Sequence, residues 1–306
     1  MRENPDRRRF MKSSIGISAS VLAGLSFEHQ ALFAQLVDRS EYGKVQEPVT
    51  GLQKGKFGKL EVSRLIIGGN LISGSAHAGD LLYQSALMTH YFTDEKIQET
   101  WNIAEQNGIN TSLMRADPHI VRNYKTHLKN GGRLHWFAQS APEQGDPVEN
   151  AKMARDNGAY AIYLHGGVSD RLVQSGKIEE VGKVLEGMKK TGIFSGVGGH
   201  RLETIKACEK AGLAPDYYMY TVNAVGYQTS DPEEIQAFMK TVTRPWIAFK
   251  VLGAGRDKPE KGFIHAFEKG ADFIAVGMFD WQVRDDAALV KEILSSDIQR
   301  ERPWVS

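Results

Sequence analysis

From Leu60 onward, short and almost continuously apolar runs alternate with longer stretches that are polar on one face. No other feature of the chain limits its folds so strongly. The runs are 64–70, 109–115, 133–141, 159–167, 194–200, 217–223, 246–253 and 272–278. Apolar character at nearly every position suits strands covered on both faces, as in parallel sheets packed beneath helices. Most runs begin about 23–35 residues after the previous one, room for a strand, a turn, a helix and a return.

The intervening stretches carry helix signals. Asp231-Pro232-Glu233-Glu234 combines an N-cap residue, a first-turn proline and two early acids. Within 177–190, Ile178, Val181, Val184, Leu185 and Met188 share one helical face. Gly108, Gly192, Gly212 and Gly270 stand where helices should stop. Eight such units predict one α/β domain over 60–306, a closed (β/α)8 TIM barrel, a fold of about 250 residues.

Composition removes competing classes. The sequence is 41% hydrophobic, enough for a large core, and its 38 Lys and Arg against 37 Asp and Glu leave a net charge of +1. That balance provides no broad basic field for nucleic acid. Cys208 is the only cysteine, which excludes an internal disulfide framework and multi-cysteine metal sites. After Lys44 no stretch approaches the roughly 20 apolar residues of a membrane span.

The first 35 residues read as an address. Arg7-Arg8-Arg9-Phe10-Met11-Lys12, followed by a weakly apolar, serine-rich run, resembles a bacterial twin-arginine (Tat) signal. That resemblance implies a periplasmic or secreted protein, with the Tat translocase as a partner. Residues 36–59 are expected to be a linker or N-terminal extension.

Within the barrel, Leu60-Glu61-Val62-Ser63-Arg64-Leu65, Ala104 to Asn110, Tyr160 to His165, Gly176-Lys177-Ile178, Phe194 to Gly198 and Gly277-Met278 resemble segments of the aldo/keto reductase superfamily. The resemblance implies an enzyme with NADP as cofactor and an Asp, Tyr, Lys and His tetrad. Only the histidine is matched, by His165. Strand two ends in Met114-Arg115 and strand three in Gln139-Ser140, without the expected acid or lysine. Tyr83 and Tyr91 are the remaining candidates for a proton donor.

Chemistry in such barrels sits at the C-terminal ends of the strands. Those ends nominate His165, His200 and Lys250 as catalytic groups, and Asn70, Arg115, Gln139 and Asn223 as substrate-binding groups. His165 and His200 close neighbouring strands. With Asp117 or His119 they are candidates for a divalent metal, and otherwise they line a polar pocket. Lys250, within an apolar run, is a candidate base or Schiff-base nucleophile. Gly253, Gly255, Gly277 and Met278 follow strands seven and eight, where phosphates of a cofactor bind in many barrels, with Arg256 and Lys258 nearby. The long connection 71–93, containing His77, Asp80, Tyr83, His90 and Tyr91, is expected to form a lid.

Three functions remain open on these residues. The first is acid/base chemistry on a small polar carbonyl or sugar substrate, of isomerase or lyase type. The second is an NADP-dependent oxidoreductase with a rearranged donor. The third is a non-catalytic carbohydrate-binding barrel.

Overall fold

The computed structural model describes residues 47–75 and 82–306. The Tat-like segment 1–35 lies outside the described residues, as do His77 and Asp80. Pro48–Ser306 forms a compact unit. It opens with an antiparallel hairpin, β1 (Lys54–Phe57) and β2 (Leu60–Ser63), so part of the expected linker is folded. Lys54-Gly55-Lys56-Phe57 is too polar to announce a strand. Its pairing with 60–63 supplies the backbone hydrogen bonds that the sequence alone leaves unassigned.

All eight expected strands form. They are β3 (Leu65–Gly68), β4 (Thr111–Arg115), β5 (His135–Gln139), β6 (Ala159–Leu164), β7 (Phe194–Gly199), β8 (Tyr218–Thr221), β9 (Trp246–Phe249) and β10 (Phe273–Gly277). Every neighbouring pair is parallel, and β10 pairs with β3 to close the barrel. The helices are α1 (Gln84–Tyr91), α2 (Asp94–Gln106), α3 (Pro118–Lys129), α4 (Pro147–Asp156), α5 (Gly166–Gln174), α6 (Ile178–Lys190), α7 (Leu202–Lys210), α8 (Pro232–Met239), α9 (Pro259–Glu268) and α10 (Asp280–Ser295). Asp231 caps α8, accepting from the Glu233 and Glu234 N–H groups at 2.9 and 3.0 Å. On α6, Val181, Leu185 and Met188 are buried, the face its spacing predicts.

Side chains alternate between two apolar compartments. One lies between strands and helices and holds Trp101, Trp136 and Trp246. The other fills the barrel with Ile66, Leu113, Phe137, Tyr163, Tyr217, Met219, Ile247 and Phe273. The hairpin plugs the bottom of that lumen: Phe57 is fully buried, its ring 4.7 Å from Phe137 and 5.0 Å from Tyr217. Burial of one such ring stabilises the fold by about 2–3 kcal/mol. Residues after α10 return beneath β9 and β10, where Arg302 and Asp272 form a buried ion pair at 2.7 Å. Among the described residues the base is packed this way, and a cavity lies at the C-terminal ends of the strands. Among the described residues no helix is long and apolar enough to cross a membrane.

Candidate active site

The open end holds a cavity of about 520 Å3, within the usual range for small-molecule sites. Asn70, Arg115, Gln139, His165, His200 and Lys250 all line it, so six of the expected strand-end residues converge. No described Asp or Glu lines it.

Glycines bring the two histidines together. At Gly198 a Cβ would lie 2.8 Å from the Leu164 carbonyl oxygen and 2.9 Å from the Gly166 nitrogen. At Gly166 a Cβ would lie 2.9 Å from His200 Cε1, so the His200 ring occupies the space that a side chain there would fill. These close approaches seat His165, at the start of α5, beside His200 at the end of β7.

The histidines have different proton positions. His165 Nδ1 accepts a 3.1 Å hydrogen bond from the Gly167 N–H, so the neutral ring carries its proton on Nε2 and offers it to the cavity. Burial pushes its pKa down to about 4, and His200, Arg115, Arg171 and Lys250 push in the same direction. At neutral pH His165 is therefore a donor and an uncharged one. His200 Nδ1 lies 2.9 Å from Asp170 Oδ2, an oxygen that also accepts the His200 backbone N–H at 2.9 Å. Because a carboxylate only accepts, His200 bears its proton on Nδ1 and presents Nε2 as a base.

Asp170 is the functional residue that strand-end reasoning misses, since it sits inside α5. Burial raises its carboxyl pKa, but hydrogen bonds from the His200 ring, the Thr204 hydroxyl at 2.6 Å and the His200 N–H outweigh that and hold it below the ordinary range. A second missed residue is Tyr163, which lines the cavity. Burial raises its phenol well above the ordinary value, opposed by the nearby Arg115 charge, so it serves as a hydrogen-bond donor.

Lys250 lies one residue past β9, not within it, at φ +55°. Gln228 (φ +46°) and Ala254 (φ +61°) share this conformation and also line the cavity. Holding a non-glycine residue there costs roughly 1–3 kcal/mol, and three cases at one cavity mark the mouth as strained. Lys250 Nζ donates to Gln228 Oε1 at 2.7 Å and lies 5.3 Å from the Tyr227 ring centre. Burial lowers its pKa to about 8.

The folded chain releases this proton before the unfolded chain does, so stability should rise with pH between about 8 and 10.5. Below that window the buried ammonium opposes folding. Lys250→Met is expected to stabilise the protein at pH 7 by about 1–2 kcal/mol, measured by urea unfolding, with the gain shrinking at pH 10.

Other expected residues have different work. Asn223 is fully buried, its amide donating to the Tyr227 carbonyl at 2.8 Å and accepting the Tyr227 N–H at 2.9 Å. It closes the loop after β8 and is not among the residues that line the cavity. Asp117 caps α3 through the Ile120 N–H at 2.9 Å and pairs with Arg115. His119 faces Asp94 at 3.3 Å, in the groove between α2 and α3. The four expected metal ligands therefore do not converge, and no group of three or more His, Cys, Asp or Glu among the described residues could hold a metal ion.

The phosphate cradle is also incomplete. Gly253 N–H bonds Lys250 O at 2.8 Å, while Arg256 and Asp257 N–H bond Leu252 O. Ala254 and Gly255 alone of these turn residues keep open N–H groups at the cavity. Arg256 folds back onto the Gly253 carbonyl at 2.9 Å and over Tyr227, whereas the Lys258 side chain does not cap α9. After β10, Gly277 lines the cavity but Met278 is buried in the core. Phe279 N–H bonds Gln282 Oε1 at 3.0 Å, and the Asp280 carboxylate occupies the first turn of α10. A carboxylate at that helix start repels a phosphate. These residues do not fit the diphosphate of NADP.

In the connection 71–93, Gln84 and Met88 of α1 line the cavity. Tyr91 donates instead to Asp280 at 2.5 Å, and Tyr83 is largely exposed, so neither replaces the missing proton donor. His90 Nδ1 lies 2.8 Å from the Ala86 carbonyl on the exposed face of α1.

No protein-family model matches the chain, and no curated protein matches it. Solved structures do. A protein assigned as an aldo-keto reductase from Pseudomonas aeruginosa is 15% identical at a TM-score of 0.57, covering 81% of this chain and 97% of its own. A variant of Gox0644 in complex with NADPH is 12% identical at 0.51, covering 79% and 94%. N-acetylneuraminic acid synthetase from Leptospira borgpetersenii is 13% identical at 0.50, covering 79% and 89%. At these identities the likeness concerns shape: the chain is a closed eight-stranded (β/α)8 TIM barrel like that of the aldo/keto reductases.

Proposed function

We propose that the protein is an enzyme that moves a proton at the carbon next to a carbonyl in a small polar substrate, as isomerases and lyases do. The observation that carries this reading is the Asp170–His200 pair, whose Nε2 faces a cavity shared with a neutral, proton-donating His165. His200 takes the proton, while Asp170 fixes its tautomer and stabilises the imidazolium that forms. His165 Nε2–H and the Tyr163 hydroxyl donate to the carbonyl oxygen as it gains charge. Lys250, with no described acid on the cavity wall, stabilises the enolate and favours substrates that carry or develop negative charge, and Arg115 adds hydrogen-bond donors from its pairs with Asp117 and Glu143. Asn70 and Gln139 supply polar contacts that orient the substrate.

Export belongs to the same proposal, supported by Arg7-Arg8, Phe10 and Lys12 in the order of a Tat signal. The test is hydrogen exchange in D2O, followed by proton NMR, with pyruvate as an anionic probe and hydroxyacetone as a neutral one. Deuterium should enter the carbon beside the carbonyl faster than in buffer, with pyruvate ahead. Exchange at the buffer rate for both probes and for a wider set of ketoses contradicts the reading.

A further inference from the structure

We propose that Lys250 is a covalent nucleophile, forming an imine with the carbonyl carbon of a small ketone or aldehyde bound in the cavity. This rests on the reading of the mouth as an acid/base site and names how that site activates its substrate.

Four observations point to Lys250. Its side chain lines the same cavity as both histidines. It donates to an amide oxygen, Gln228 Oε1, and not to a carboxylate that would hold it as an ammonium. The residue before it, Phe249, packs against the His200 ring at 5.2 Å, which ties the end of β9 to the loop that carries the base. Its backbone is held in the left-handed region, paired with an equally constrained Gln228 on the next loop, so the fold bears a conformational cost to keep the amine there. Burial from water favours the neutral amine, in keeping with its depressed pKa.

Imine formation needs only the substrate and one proton from solvent. The Nζ lone pair forms the C–N bond as the carbonyl π pair moves to oxygen, held by His165 Nε2–H. The proton released from Nζ passes to His200 Nε2 and from there to the oxygen, giving a carbinolamine. His200 then takes up a proton from solvent and delivers it to the hydroxyl, while the nitrogen keeps its remaining hydrogen. The C–O bond breaks, water leaves, and C=N forms. The resulting iminium withdraws electrons from the adjacent carbon more strongly than a ketone does, so His200 then removes the neighbouring proton more readily.

Reductive trapping tests this. The full-length protein is incubated at pH 7 with pyruvate or dihydroxyacetone and sodium cyanoborohydride, and its peptides are read by mass spectrometry. The Lys250 peptide should gain the reduced adduct about a hundredfold faster than surface lysines, reflecting its larger neutral fraction. Lys250→Arg and Lys250→Met should show no such adduct, with Lys250→Met unfolding at or above the wild-type temperature. Labelling spread over surface lysines without preference for Lys250 overturns the proposal. So does undiminished proton exchange in Lys250→Arg, which would leave the His200 reading standing. Trapping at Lys250 without any proton exchange supports the imine and removes the acid/base reading instead.

Discussion

Replacing His200 with alanine is expected to slow exchange of the α-hydrogen of pyruvate by about 10²–10⁴, the usual worth of a positioned general base. The effect should be this large because the described cavity lining offers no substitute. It contains no Asp or Glu, His165 is locked as a donor by the Gly167 N–H, and Lys250 is mostly protonated at pH 7. The fold should survive, since His200 is partly exposed at the mouth of the barrel. Asp170→Asn should give a loss of similar order for a different reason. An amide can donate to Nδ1 and so turn the ring to the wrong tautomer, with Nε2 protonated. A steady-state exchange rate in both variants, with unfolding curves alongside, checks the expectation. A loss below about threefold in His200→Ala would assign the proton transfer elsewhere.

The second large effect concerns stability and lies at the opposite end of the barrel. Asp272→Ala is expected to destabilise the protein by about 3–5 kcal/mol, or roughly 6–20 °C in Tm for a domain of this size. Asp272 is fully buried and Arg302 is 1% exposed. Removing the carboxylate strands a buried guanidinium and also deprives the Trp246 and Val305 N–H groups of their acceptors at 2.9 Å. Arg302 would keep its bonds to the Gly270, Val242 and Arg244 carbonyls, which is why the loss should stop short of complete unfolding. Arg302→Met in the Asp272→Asn background should recover part of the loss, because the uncompensated charge is then gone. A single Asp272→Ala change that costs less than 1 kcal/mol would mean that water reaches this pair.

Much of the architecture was legible because burial on both faces writes itself into composition. Strands such as Phe273-Ile274-Ala275-Val276 and Trp246-Ile247-Ala248-Phe249 can be little else in a chain that repeats them at such intervals. The hairpin at the base was not legible, because Lys54 and Lys56 point away from the lumen that Phe57 fills. The site divided in the same way. His165, His200, Lys250, Arg115, Gln139 and Asn70 end strands, and closure of the barrel forces strand ends together.

Asp170 could not be found by that rule. It lies on a helix, 30 residues from its histidine partner, and becomes a partner only when α5 packs beside β7. Asn223 shows the opposite error, since a strand-end polar group can be used up by a backbone four residues away. The cradle at strands seven and eight failed for a similar reason. Glycines permit such a turn, but whether its N–H groups stay free depends on bonds that composition does not reveal.

The unequal protonation of two neighbouring histidines is the central feature of this site, and nitrogen-15 NMR of the imidazole rings measures it directly. The predicted result is His165 neutral with its proton on Nε2 from pH 5 to 9, titrating only toward pH 4, and His200 in its neutral form protonated on Nδ1. A His165 that titrates near the ordinary 6.5, or a neutral His200 protonated on Nε2, would contradict it.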